Sequence, residues 1–165
     1  MKFVDYLREH VFKPAGMDHA GPDDVYTLIS HRSRGYRLSA ANQLENCALA
    51  DTSNKIPCGG MISTPEDLVK FALALNAGKL VKPETRDLMF TEQQPRGGKT
   101  GHYGMGWTIS QFEGRRLVTH GGGQQGTSTY LMLFPAEKLA IAVMLNREHA
   151  PAGEIAHNVA AIVLQ

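Results

Sequence analysis

After Trp107 the apolar residues of this chain change period, and that change constrains the fold more than any other feature. Thr108–Phe112 and Arg115–His120 flank Glu113-Gly114, while Thr127–Phe134 and Leu139–Asn146 flank Pro135-Ala136-Glu137-Lys138. Short runs of this kind, separated by turn residues, predict antiparallel hairpins. Ile141 to Leu145 is apolar without alternation, which predicts a strand covered on both faces. His120-Gly121-Gly122-Gly123 ends one predicted strand, and the next begins near Thr127. Pro151 opens a final covering helix with Ile155, Val159, Ile162 and Val163 on one face.

Upstream the pattern is helical. Phe3, Leu7 and Val11 fall on one stripe of a helix over residues 2–13, stopped by Pro14-Ala15-Gly16-Met17. That helix begins with no capping residue, as if a lead-in had preceded it. Residues 18–58 show little periodicity. Val25 to Ser30 reads as a short strand, and the rest through Asn54 as a long surface connection. Residues 64–77 form the clearest helix: Ser63 or Thr64 caps, Pro65 suits the first turn, and Glu66 and Asp67 favour the positive end. Leu68, Phe71, Ala72 and Leu75 repeat along it, and Gly78 ends it. A shorter helix follows Pro83 through Phe90. Helices, then an antiparallel sheet, then a covering helix make an α+β fold.

The 165 residues amount to about one domain, mostly helix and loop over 1–100 and sheet plus helix over 101–165. A net charge of +1 and scattered Lys and Arg give no case for nucleic acid. No apolar run approaches the roughly 20 residues of a membrane span, and the charged N-terminus is not a signal peptide. Cys47 and Cys58 make neither a disulfide framework nor a metal site, and a single bridge between them is unforced. Seven histidines without a His-Glu-x-x-His pattern call for no metal, and nothing calls for a cofactor.

Chemistry concentrates at His120-Gly121-Gly122-Gly123. Glycines leave a strand backbone bare to a ligand. Exposed strand N–H groups can donate to a developing oxyanion. The adjacent histidine can donate to a substrate carboxylate or move a proton near neutral pH. On the glycines alone, a flexible loop joining two strands explains the segment better. His-Gly-Gly-Gly also occurs as an oxyanion signature of α/β-hydrolase esterases, but no Gly-x-Ser-x-Gly follows here. Gly121 to Gly126 has phosphate-loop spacing with Thr127 where the lysine belongs. Trp107 reads as a packing residue rather than a substrate platform, and Glu66 and Asp67 as helix-end residues rather than catalytic acids.

The surrounding order of motifs decides between these readings. Pro14-Ala15-Gly16-Met17, Arg34-Gly35-Tyr36, the run from Gly59-Gly60-Met61 through Asp67-Leu68 to Phe71, Tyr103-Gly104-Met105-Gly106-Trp107, and His120 to Gly122 follow one another along the chain. Together they resemble the serine β-lactamase and penicillin-binding-protein family, in particular class C β-lactamases and related esterases. His120 to Gly122 stands at that family's Lys-Thr-Gly or His-x-Gly position. Lys99-Thr100-Gly101 spells Lys-Thr-Gly literally but in a polar stretch, so it reads as a decoy.

The resemblance implies the C-terminal part of a β-lactamase/transpeptidase-like fold, with an acyl substrate: a β-lactam, ester or peptide. It implies that His120 binds a carboxylate or assists proton transfer, that Gly122 permits close approach, and that Gly123 offers one oxyanion-hole N–H. Gly121 and, at the rim, Tyr36 would bind substrate. The chain contains neither Ser-x-x-Lys nor Tyr-x-Asn. The expectation is therefore a single partial domain, inactive alone, that self-associates or pairs with a missing N-terminal part. The rival is a noncatalytic binding or interaction module on a degenerate hydrolase scaffold.

Overall fold

The first helical stretch starts as α1 (Phe3–Leu7), widens into a π-helical turn (Arg8–Phe12) and ends as α2 (Lys13–Ala15). These and all elements below come from a computed structural model that describes residues 1–98 and 101–165. Lys99 and Thr100 of the literal Lys-Thr-Gly lie outside the described residues. The widened turn precedes Pro14, whose ring crowds the carbonyl four residues back and which has no N–H for an α-helical ladder. Gly16 then adopts φ 73°. Its N–H donates to Lys13 O at 3.1 Å, and Met17 N–H donates to Phe12 O at 2.9 Å. This is a Schellman closure, and Phe12 and Met17 are both buried at it.

Residues 18–60 differ from the sequence expectation. Val25 to Ser30 forms turns, not a strand. Asp24 accepts from Tyr26 N–H at 2.9 Å and from the Thr27 hydroxyl at 2.6 Å, a local arrangement that competes with ladder pairing. The connection expected through Asn54 contains β1 (Gly21–Pro22), β2 (Tyr36–Leu38), β3 (Leu44–Asn46) and the start of a 3-10 turn (Ser53–Lys55), which α3 (Ile56–Gly59) follows. Next comes β4 (Met61–Ile62), which pairs with β1, while β2 and β3 form a hairpin.

Thr64 caps α4 (Pro65–Asn76) by accepting Asp67 N–H at 3.2 Å, a bond type that stabilises by about 1 kcal/mol. Asp67 is fully buried, and its Oδ2 accepts His19 N–H at 2.7 Å. This carboxylate thus ties the loop after α2 to α4, which agrees with a structural reading. After α5 (Pro83–Met89) the sheet begins: β5 (Thr108–Phe112), β6 (Arg115–Gln124), β7 (Thr127–Phe134) and β8 (Leu139–Leu145), antiparallel in the order β5-β6-β7-β8.

The sheet's two faces bury different clusters. Val118, Leu131 and Leu133 pack with Ala72, Leu75, Phe90 and Trp107 on the α4 side. Trp107 is buried edge-on to Phe90 at 5.5 Å between ring centroids, which settles it as a packing residue. Leu117, Met132, Phe134 and Ile141 pack on the other side against α6 (Ala152–Val163). Alternate residues of β8 enter the two clusters, so the strand without alternation is covered on both faces as expected.

α6 covers the sheet with its small residues. The helix packs through Ala152, Ala156 and Ala160, while Ile155, Val159, Ile162 and Val163 are exposed. Small side chains let the helix axis approach the sheet closely, and this turns the branched stripe away from it. The two cysteines are free, Cys47 buried and Cys58 exposed.

Candidate active site

β6 does not end at His120. It continues to Gln124, with Gly122 opposite Thr129 and Gly123 opposite Ser128 on β7. The glycines are part of a ladder, not a loop. The sequence places the strand end too early because glycines supply no apolar period to read.

β5 is shorter. Its first residue, Thr108, pairs with Thr119, so beyond that rung, among the described residues, β6 has a strand neighbour on the β7 side only. Ile109 N–H donates to His102 O at 2.7 Å, which turns Ile109 away from β6. Antiparallel residues alternate in the side to which they direct N–H and C=O. Thr108, Ser110 and Phe112 therefore bond to Thr119, Leu117 and Arg115. By the same alternation Gly121 and Gly123 aim their backbone groups at the vacant edge, and His120, Gly122 and Gln124 bond to β7.

The side chains alternate as well. His120, Gly122 and Gln124 share the α4 face of the sheet with Val118, and Gly121 and Gly123 share the α6 face with Leu117. His120 Nε2 lies 3.1 Å from the Tyr103 hydroxyl. A Cβ on Gly122 would stand 2.8 Å from Thr129 Oγ1, whereas one on Gly123 would meet nothing within 4 Å. Glycine at 122 thus relieves crowding with β7 as well as baring the backbone.

Gln124 fixes the far end of this edge. Its Oε1 accepts from Lys55 Nζ at 3.1 Å, and its Nε2 donates to Gly59 O at 3.3 Å. The 3-10 turn and α3 are thereby held at the end of β6. At the β6–β7 turn, the Glu148 carboxylate accepts Gly126 N–H at 3.0 Å and the Cys47 thiol at 3.3 Å. The Gly126 N–H, followed by the Cys47 thiol, holds the Glu148 carboxyl below the usual carboxylate range. Burial, then the Glu148 contact, pushes the Cys47 thiol up. On the α6 face, a cavity of about 830 Å³ opens between Gly121–Gln125 and Glu148–Gly153.

The structure brings His120, Gly121, Gly122 and Gly123 together on one open edge. Tyr36 sits elsewhere: its N–H donates to Asn146 O and its carbonyl accepts Glu148 N–H, both at 2.9 Å, so β2 is fastened to the end of β8. Sequence reasoning passed over Tyr103, Lys55, Gln124 and Glu148. Tyr103 stood in a recognised motif, but nothing in its spacing signals a contact with His120. The other three lie in segments without periodicity or at strand ends.

A sequence model of the family described as Beta-lactamase matches residues 1–164. Serine beta-lactamase-like protein LACTB, mitochondrial, of Mus musculus is 29% identical over 180 residues, covering 93% of this chain and 32% of its own. Penicillin-binding protein 4* of Bacillus subtilis (strain 168) is 25% identical over 163 residues, covering 90% of this chain and 36% of its own. The solved structure of the octameric penicillin-binding protein homologue from Pyrococcus abyssi superposes with a TM-score of 0.78 at 24% identity, covering 99% of this chain and 38% of that one. The chain thus spans about a third of the length of the curated relatives it matches.

Proposed function

The chain belongs to the Beta-lactamase family, and from that premise we propose that it forms one wall of a serine-hydrolase site for acyl transfer. The substrate is a β-lactam, an ester or a peptide. The observation that carries this reading is the open glycine edge of β6 beside His120. Gly123 N–H points where a tetrahedral oxyanion can be received, and Gly121 offers a second strand amide for substrate backbone. Donors fixed in a ladder need no reorganisation as charge develops. His120, on the same edge, donates to a substrate carboxylate or assists proton transfer. Tyr36 takes its rim role from the β2–β3 hairpin, which is fastened to the end of β8.

The nucleophile comes from residues outside this sequence, which has no Ser-x-x-Lys. Among the described residues no serine hydroxyl shares a hydrogen bond with a lysine or histidine side chain; Ser128, for example, donates to Arg147 O and accepts Ala150 N–H. A serine without a base is a weak nucleophile. By itself the chain then binds acyl compounds without turning them over, and intact mass after incubation with a β-lactam or an activated ester tests this.

The exposed stripe Ile155, Val159, Ile162 and Val163 favours a second component: association with a further copy or with the segment that supplies the nucleophile. It equally suits the rival reading, a noncatalytic interaction module. Among the described residues no helix is long and apolar enough to cross a membrane.

A further inference from the structure

Tyr103 and His120 are anchored independently, yet their polar tips meet. Tyr103 bridges to Thr108, and its carbonyl accepts Gln93 N–H at 2.8 Å. The neighbouring Gly104 lies against the Met89 carbonyl so tightly that any Cβ there would collide with it. His120 is held by its rung opposite Leu131. The two rings stand 6.4 Å apart at 61°, with the hydroxyl 3.1 Å from Nε2. Both side chains are exposed, so the backbone anchors set where the two rings start from and the hydroxyl–Nε2 contact sets how they meet.

A neutral imidazole carries one proton, and the partner of one nitrogen decides which nitrogen holds it. A phenol is a stronger acid than a neutral imidazole N–H, and an imidazole nitrogen is a stronger acceptor than a phenol oxygen. The favoured arrangement is therefore O–H donating to nitrogen. We propose that Tyr103 is a positioning residue: its hydroxyl donates to His120 Nε2, keeps the neutral ring as the Nδ1–H tautomer, and so leaves an N–H for an acceptor oxygen of the substrate. This rests on the reading of the β6 edge as the substrate site. It fixes which ring nitrogen of the uncharged histidine is the donor.

The test is nitrogen-15 NMR of the histidine side chains in this chain, recorded above the usual histidine titration range, with His120→Gln identifying the His120 signals. The expected result is an Nδ1–H pattern for His120 that moves toward Nε2–H in Tyr103→Phe, with amide dispersion unchanged. A wild-type ring already in the Nε2–H form overturns the proposal, as does a folded Tyr103→Phe variant with unaltered ring signals. If Tyr103→Phe does not fold, the wild-type tautomer alone decides. The readout needs no ligand. Failure to bind acyl compounds would count against the functional reading while leaving the tautomer result intact.

Discussion

Thr108 pairs with Thr119, and that rung is the last that β5 makes with β6. The next residue of β6 is His120, so the strand gains a vacant edge where its side chains dwindle to glycine. The shorter neighbour leaves the edge amides of the candidate site without a strand partner, and the bare glycine backbone lets a ligand approach them closely.

Amide exchange should report this edge residue by residue. Gly121 and Gly123 should exchange roughly five-fold or more faster than Gly122 and Gln124, the factor implied by about 1 kcal/mol for each ladder bond. Equal protection across the four would mean that the strand register is wrong.

Gly35 and Gly126 cross at the closed end of the sheet, where a Cβ on Gly35 would lie 2.6 Å from Gly126 Cα. Gly35→Ala must therefore push the β2–β3 hairpin off the β6–β7 turn, costing about 1–3 kcal/mol in a urea titration. Gly21→Ala, with nothing within 4 Å of the new Cβ, should stay within about 0.5 kcal/mol.

The Glu148 carboxyl is depressed by the Gly126 N–H, so folding favours its charged form. Its contribution is present above the ordinary carboxylate range and lost as pH falls through the lower native value. The Cys47 thiol is raised, mainly by burial, so its contribution is present below the ordinary thiol range and lost as pH rises toward the native value. Melting temperature against pH should show Glu148→Gln less stable than wild type near neutrality, with the gap closing in acid. A gap that persists at the lowest pH would assign the effect to packing.

Much of the fold is legible in the sequence because it rests on strong periodicities. Leu68, Phe71, Ala72 and Leu75 mark α4, and Ile141 to Leu145 marks a doubly covered strand. The β2–β3 hairpin is not legible, since three-residue strands offer no period and its turn relies on Asn42 at φ 58°. α6 misleads because alanine carries little hydrophobic signal, although close packing selects it. Within the site, His120 and the glycines announce themselves, but Tyr103 and Lys55 acquire meaning only through the distances that folding creates.

The exposed α6 stripe should drive association. Ile162 is 70% exposed, so Ile162→Lys should leave the urea midpoint unchanged yet shift sedimentation toward monomer at high concentration. Identical sedimentation of the two proteins would remove the stripe from any interface.

The central claim is that this chain carries the binding edge of an acyl-transfer site and not its nucleophile. Intact-mass spectrometry after prolonged incubation with a β-lactam and with an activated ester tests it directly. An unchanged mass is the expected result. An acyl-sized increase that maps to a serine of this sequence would contradict it.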